Sequence, residues 1–231
     1  MSNPLTIGAT IPDFELTTTE GNFTLHDYLN KDEEWTIFFS HPADFTPVCT
    51  TEIGLCHKML PLFKKHNCKM LGLSCDPVDK HADWVTDIMA REQSEGPLGF
   101  PMIGDTDRTI VNALGMLDPD CMEGTGVPMP ARMLIVLYKT TVRLTMLYPA
   151  TTGRNFEEVL RVLTSLQMTT GLGLATPVNW TYGGRVVCTP GVSGEVIEER
   201  GYTGLNTCEL PSGKPYLRMI DCPAEGAKRP E

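Results

Sequence analysis

The chain of 231 residues carries 19 basic and 29 acidic side chains, which give a net charge of −10, and 41% of its residues are hydrophobic. This length and composition predict a globular chain with a real core, in one domain or in one domain plus a small appendage. The acidic balance, without a cluster of lysines and arginines, argues against a nucleic-acid binder, and no apolar run reaches the roughly 18–20 residues of a membrane helix.

The N-terminal segment, residues 1–11, has neither a basic nor a long apolar stretch, so no secretory signal is predicted. We therefore expect a cytoplasmic protein whose eight cysteines stay reduced. No two of them have the spacing Cys-x-x-Cys, so neither a zinc knuckle nor a thioredoxin-type dithiol is predicted. The sequence thus indicates no metal and no cofactor.

Strands and helices are predicted to alternate along most of the chain. In order, they are a strand at Trp35–Ser40, a helix from Thr46 to Phe63, a strand at Met70–Cys75, a helix at His81–Arg91, a strand at Phe100–Ile103, a helix at Arg108–Met116, strands at Arg132–Tyr138 and Val142–Tyr148, and a helix at Asn155–Met168. The short connection between the last two strands forces antiparallel pairing. Parallel crossovers with one late hairpin predict an α/β fold, a thioredoxin-like mixed sheet flanked by helices.

The residue pattern changes after Thr169, where the glycine-rich run 171–175 precedes a long segment without regular periodicity. We expect a first domain of residues 1–170 and a small C-terminal domain or arm of residues 171–231.

One cysteine, Cys49, lies at the junction of a predicted strand and a predicted helix. Thr46 is a good N-cap, and Pro47 occupies a first-turn position where proline is tolerated. Cys49 is then about the third helical residue, where free N–H groups and the helix dipole favour an anion. These residues alone leave two interpretations open: a reactive thiolate, or an ordinary capped helix that carries a cysteine.

Forming the thiolate does not by itself make a fast enzyme. An ordinary thiol is already about 3% ionised at pH 7, so full ionisation raises the rate of attack only ~30-fold. A less basic thiolate is also a weaker nucleophile, which reduces that gain. A second group must act on the electrophile. The Thr46 hydroxyl and the donors of an arginine are suitable groups.

The segment around Cys49 carries a long motif. Pro42, Thr46 and Cys49 have the spacing Pro-x-x-x-Thr-x-x-Cys within the stretch 40–52. Together with the downstream stretch 148–155, it resembles the one-cysteine subgroup of the peroxiredoxins, and the resemblance covers nearly the whole chain. It implies a thiol-specific peroxidase that reduces hydrogen peroxide and organic hydroperoxides.

The resemblance also implies roles for single residues. Cys49 matches the peroxidatic cysteine, which becomes a sulfenic acid. The other matching positions are Thr46 and Arg132, which hold and polarise the peroxide, Pro42, which shields the pocket, and the supporting residues Glu52 and His41. Without the resemblance, the favoured interpretation of Arg132 is a charge that marks a strand edge. The alternatives for the other two are that Glu52 is a favourable first-turn acid and that His41 is a loop histidine satisfied by backbone.

The second half of the catalytic cycle depends on where a resolving thiol is found. Thr176 stands where two-cysteine relatives carry the resolving cysteine, and Cys188 lacks the expected surroundings. We therefore expect Cys49 to act alone, with an external thiol from the glutathione or thioredoxin system as partner. A homodimer is also expected, because the C-terminal segment is long enough to reach a second subunit.

Two other functions use the same cysteine. A redox sensor or holdase chaperone would act on protein partners when Cys49 is oxidised. A cysteine hydrolase would pair Cys49 with a catalytic histidine. Peroxide turnover with an external reductant distinguishes the peroxidase from both.

Overall fold

The computed structural model describes residues 5–122, 124 and 126–223. The chain falls into two compact units, Met1–Phe156 and Glu157–Glu231. The boundary expected from the sequence, between residues 170 and 171, stays a prediction. None of the described helices has the length and apolar character that crossing a membrane requires.

The first unit contains the strands and helices that were predicted, with ends that differ by a few residues, and several more. Its strands are β1 (Glu15–Thr18), β2 (Gly21–Thr24), β3 (Trp35–Ser40), β4 (Cys68–Ser74), β5 (Met102–Gly104), β6 (Leu117–Met122), β7 (Pro128–Pro130), β8 (Arg132–Tyr138) and β9 (Thr141–Tyr148). Its helices are α1 (Leu25–Leu29), α2 (Pro47–Lys65), α3 (Val78–Glu92) and α4 (Thr109–Leu114), and α5 (Phe156–Thr169) begins at its last residue.

A seven-stranded mixed sheet forms the centre of this unit, in the order β2-β1-β5-β4-β3-β8-β9. β3, β4 and β5 run parallel, whereas β8 pairs antiparallel with β3 and with β9. Every residue of β3 and β4 is buried, as expected for central strands that are covered on both faces. The predicted mixed sheet with one late hairpin is confirmed.

Five elements of this unit were not predicted, namely β1, β2, α1, β6 and β7. β1 and β2 are only four residues long, and both residues of the Gly21-Asn22 pair are exposed, so no apolar alternation marks them. β6 and β7 contain Pro119, Pro128 and Pro130, which argue against a strand in the sequence.

The sheet brings two distant segments of the chain to one edge. β3 ends at Ser40, and the loop 41–46 then leads into α2. Because β8 runs antiparallel to β3, with Leu134 opposite Phe39, the first residue of β8 lies beside the end of β3. Arg132 is therefore placed close to the start of α2.

The second unit is more regular than the sequence predicted. Its elements are β10 (Leu174–Ala175), β11 (Val186–Cys188), α6 (Gly194–Glu199), β12 (Asn206–Thr207) and β13 (Arg218–Ile220). The strands pair antiparallel in the order β10-β11-β13-β12, over a core of their own that includes Trp180, Val186 and Ile220. Strands of two or three residues are too short to show alternation, so the segment was predicted to be irregular.

Candidate active site

Cys49 lies in the first turn of α2. The helix begins at Pro47, and Thr46 has the extended backbone of an N-cap, with φ −113° and ψ 146°. Its carbonyl accepts the first helical hydrogen bond, from Thr50 N at 3.0 Å. Cys49 is thus the third helical residue, where backbone N–H groups have no acceptor within the helix. The predicted junction of strand and helix is confirmed.

The side chain of Thr46 does not cap the helix. Its hydroxyl caps no first-turn N–H of the described helix and donates instead to the Ala43 carbonyl at 2.8 Å. Because that bond uses the hydroxyl proton, the oxygen keeps lone pairs for another donor. Thr46 is available as an acceptor beside the first turn.

Arg132 points into the protein at the start of β8, and only 2% of its surface is exposed. Its Nη1 donates to Cys49 Sγ at 3.4 Å and to Glu52 Oε2 at 2.7 Å, while its Nε donates to the Ala150 carbonyl at 2.8 Å. These contacts fix the plane of the guanidinium against the sulfur. The alternative of a charge marking a strand edge is therefore wrong.

Glu52 is buried one turn after Cys49 and binds a second arginine. Its carboxylate accepts from Arg154 N, Nε and Nη2 at 2.7, 2.9 and 2.8 Å, in addition to Arg132. Burial alone would raise the pKa of Glu52, but the hydrogen bonds and charges of the two arginines outweigh it and lower the pKa. Glu52 is an ionised partner that orients both guanidinium groups.

Arg154 is the residue of the site that sequence analysis did not single out. Its Nη1 donates to the Met133 carbonyl, and its guanidinium lies over the rings of Phe39 and Phe156 at 5.2 and 5.6 Å. The only signal in the sequence was its place in the stretch 148–155. Nothing local predicted that it would reach Glu52.

The charges around Cys49 do not cancel. Arg132 and Arg154 carry two buried positive charges, and Glu52 supplies one negative charge. One positive charge is left beside the fully buried Cys49 sulfur. Since an unpaired buried charge is costly, this arrangement can accommodate one further negative charge beside the Arg132 guanidinium.

The other two predicted site residues lie on the loop between β3 and α2. Pro42 is buried and lines a cleft whose lining residues do not include Cys49. His41 is also buried, and its ring bonds the carboxylate of Asp44 rather than backbone. The structure thus joins Cys49, Arg132 and Glu52 directly, and brings Thr46, Pro42 and His41 to the same loop and helix start.

A metal was not predicted, yet within the described ranges one group of side chains has the ligand types for it. The nitrogen and oxygen atoms of His41, Asp44 and His81 lie within 4.8 Å of one another, and all three residues are buried. Hydrogen bonds between the three already use these atoms, at 2.8 and 2.5 Å. These two hydrogen bonds account for the cluster without a cation.

All eight cysteines, each within the described ranges, are free thiols. Burial raises the pKa of Cys56 and of Cys68, and it also raises the pKa of Cys188 on β11. These three cysteines lie in surroundings that favour the neutral thiol. Among them, Cys56 shares α2 with Cys49.

Residues 7–143 match the model of the AhpC/TSA family. The chain belongs to this family. Its close relatives are peroxiredoxins, which are thiol-dependent peroxidases, so this peroxiredoxin is an oxidoreductase, and the redox-sensor or holdase alternative is not favoured. No finding supports the cysteine hydrolase.

Curated relatives match the peroxiredoxin along nearly its full length. "Peroxiredoxin-6" of Gallus gallus is 46% identical over 95% of this chain and 98% of its own length. "1-Cys peroxiredoxin" of Onchocerca volvulus is 43% identical over 96% of this chain and 100% of its own. The predicted resemblance to the one-cysteine subgroup is confirmed.

Solved structures agree with the predicted thioredoxin-like fold. A mutant of the Peroxiredoxin 6 of Arenicola marina is 40% identical and superposes with a TM-score of 0.90, covering 95% of this chain and 99% of that one. A mitochondrial 1-Cys peroxiredoxin of yeast is 38% identical, with a TM-score of 0.82 over 94% and 99% of the two chains. Its thiol is described as resolved through glutathione/thioredoxin systems.

Proposed function

We propose that Cys49 is the peroxidatic cysteine of this peroxiredoxin and that it reduces hydrogen peroxide and organic hydroperoxides. The observation that carries the proposal is the 3.4 Å contact of Arg132 Nη1 with Cys49 Sγ, in a site where Glu52 holds the guanidinium. Such a site combines a nucleophile with a fixed positive group that stabilises charge on the reacting oxygens.

In the first half of the cycle, the Cys49 thiolate attacks the terminal oxygen of the peroxide. An S–O bond forms while the O–O bond breaks, so that the sulfur is oxidised and the peroxide is reduced. The leaving hydroxide or alkoxide takes a proton and becomes water or an alcohol. Cys49 is left as a sulfenic acid.

Arg132 and Thr46 act on the peroxide from two sides. The guanidinium is held by Ala150 and Glu52, so it stabilises the developing negative charge without reorganising. The Thr46 oxygen accepts a hydrogen bond from the peroxide O–H, because its own proton is donated to Ala43. Together they align the O–O bond with the sulfur.

The remaining site residues support this pair. Glu52 orients Arg132 and balances part of its charge. Pro42 and His41 lie buried on the loop that precedes Cys49, and the role we assign to them is to keep water from the first turn of α2. Water exclusion strengthens the electrostatic contacts inside the site.

The second half of the cycle uses an external thiol from the glutathione or thioredoxin system. This thiol attacks the sulfenic sulfur, water leaves, and a second thiol releases Cys49 from the mixed disulfide. Two features support the need for an outside thiol. Thr176 replaces the resolving cysteine, and Cys188 is buried in β11, with 1% of its surface exposed.

Replacing Cys49 tests the proposal directly. Cys49→Ser has no thiol for the sulfenic acid, so we expect peroxide consumption with glutathione or thioredoxin to fall to the background rate. The matched control is Cys56→Ser, a buried cysteine of the same helix, which should keep most of the activity per folded molecule. Stopped-flow peroxide consumption measures both, and turnover by a folded Cys49→Ser protein contradicts the assignment.

We also propose a homodimer that works in the cytoplasm. β9 forms one edge of the seven-stranded sheet and exposes 62% of Leu147, and an exposed apolar strand edge is a ready surface for pairing. Sedimentation at micromolar concentration should give the mass of a dimer, and a monomer under those conditions contradicts it.

A further inference from the structure

A chain of hydrogen bonds runs through three buried residues next to the active-site loop. Asp44 Oδ1 lies 2.8 Å from His41 Nε2, and Asp44 Oδ2 lies 2.5 Å from His81 Nδ1. At the far end, His81 Nε2 lies 3.0 Å from the Ile103 carbonyl of β5. His41 and Asp44 belong to the loop 41–46, and His81 belongs to α3.

The positions of the protons follow from what each group can do. A carbonyl only accepts, so His81 Nε2 carries a proton for Ile103. Burial alone would raise the pKa of Asp44, but hydrogen bonds from His41 and His81 outweigh it and lower the pKa to about 2. Asp44 is therefore a carboxylate, and His81 Nδ1 must donate to it. His81 therefore faces an acceptor at each ring nitrogen, the Asp44 carboxylate at Nδ1 and the Ile103 carbonyl at Nε2.

The same argument assigns one proton to His41. Its Nε2 donates to Asp44, and burial, which opposes a charge, lowers the pKa of His41. His41 is thus a neutral ring protonated on Nε2. Its Nδ1 has no hydrogen-bond partner among the described residues, so it is a buried acceptor that is left open.

These residues are linked to the first turn of α2. The His41 ring packs against Trp84, with centroids 5.2 Å apart, and Trp84 Nε1 donates to Thr50 Oγ1 at 3.1 Å. Thr50 directly follows Cys49, and its hydroxyl donates to the Thr46 carbonyl at 2.8 Å. The loop that carries Asp44 is also under strain.

That strain lies at Phe45, whose φ of +56° is unusual for a bulky side chain, and 50% of which is exposed. The neighbouring Asp44 holds the loop from the inside. Its backbone N–H donates to Asp76 Oδ2 at 2.7 Å, and Asp76 is paired with Lys80 of α3. A strained loop persists where its surroundings hold it in place.

We propose that Asp44 and His81 are positioning residues for peroxide reduction: the carboxylate–imidazolium pair holds the loop 41–46 and keeps His41 as the neutral tautomer with Nδ1 open. The inference rests on the proposed function of Cys49, because His41 and Thr46 act there. The proposal requires Asp44 to be ionised and His81 to be doubly protonated, whereas a role in packing alone would require neither charge.

Asp44→Asn tests the role in the reaction. The amide keeps the size of the side chain but removes the negative charge that keeps His81 doubly protonated. We expect the second-order rate constant with hydrogen peroxide to fall about 10-fold to 100-fold, by analogy with the partners that orient metal-binding histidines, whose removal costs that much. The control is Asp105→Asn, a buried aspartate whose side chain accepts the N–H groups of Ile110 and Val111 at the start of α4, and it should leave the rate per folded molecule unchanged.

A second pair of variants applies if Asp44→Asn does not fold. His81→Asn keeps an N–H donor near the position of Nδ1, whereas His81→Leu keeps none. We expect the leucine variant to lose as much rate as Asp44→Asn, and the asparagine variant to recover part of it. Equal rates for wild type, Asp44→Asn and His81→Leu would overturn the proposal.

Nitrogen NMR of the reduced full-length chain, labelled at its histidines, reads the charge state independently of activity. At pH 7.5 an unperturbed histidine is about 90% neutral. We expect His81, assigned from the His81→Asn spectrum, to show two protonated ring nitrogens, and His41 to show one bare nitrogen. A bare nitrogen on His81 would overturn the inference. An active Cys49→Ser protein would overturn the proposed function and leave this spectrum unaffected.

Discussion

The first turn of α2 and its middle carry the same residue in opposite surroundings. Cys49 and Cys56 lie seven positions apart on one helix, and neither exposes any surface. Cys49 contacts Arg132 at 3.4 Å and lies beside an excess positive charge, whereas burial raises the pKa of Cys56. Burial alone makes a cysteine inert. A buried thiol becomes a nucleophile only where the site supplies charge.

Replacing Arg132, whose guanidinium contacts the Cys49 sulfur, should reduce the difference in reactivity between Cys49 and Cys56 more than any other change. We expect Arg132→Met to slow the reaction with peroxide about 100-fold to 1,000-fold, the loss typical of one preorganised donor at a developing charge. Stopped-flow kinetics gives the rate constant, and ultraviolet absorbance of the thiolate gives its population. Arg132→Lys keeps the charge without the planar fork and should recover only part of the rate. If the lost thiolate accounts for the whole loss of rate, Arg132 does not act on the peroxide.

The second arginine should matter less, because it acts through Glu52. We expect Arg154→Met to lower the rate constant about 10-fold to 100-fold, since Glu52 then loses the partner that orients it toward Arg132. The double variant with Glu52→Gln serves as the control. If the effects of the two substitutions add fully, Arg154 works by a route other than Glu52.

The middle of the helix should respond in stability rather than in rate. Cys56→Ser places a hydroxyl at a fully buried position, which costs about 1–3 kcal/mol where no hydrogen bond compensates. Urea unfolding should show that loss, while the rate constant per folded molecule stays within error of wild type. A large loss of rate in a fully folded Cys56→Ser protein would mean that position 56 also influences the reactivity of Cys49.

Cys188 extends the comparison to the second unit, with the smallest expected effect. One equivalent of peroxide should leave a sulfenic acid on Cys49 that persists until an external thiol is added, and Cys188→Ser should behave in the same way. Intact mass and non-reducing gels follow the added oxygen and any disulfide. A stoichiometric disulfide between Cys49 and Cys188 at the first turnover would replace the one-cysteine cycle with a two-cysteine cycle.

Local patterns predicted most of the first unit and the position of its nucleophile. The apolar run of β3 and the sequence Thr46-Pro47 place Cys49 in the first turn of a helix, because capping and proline tolerance act within a few residues. The same reasoning failed for β6 and β7, whose prolines conceal a strand pairing. It also failed for the second unit, whose strands are only two or three residues long.

The sequence by itself thus determined that a cysteine stands where a helix favours an anion, and its motif determined the family. Only the tertiary structure decided which charges meet that cysteine. Glu52 binds Arg132 and Arg154 across 80 and 102 residues of chain, and Asp44 binds His81 across 37. Such contacts depend on the pairing of β3 with β8 and on the packing of helices against the sheet. Local propensities describe each segment alone, whereas the energy of a buried charge depends on every group that folding brings beside it.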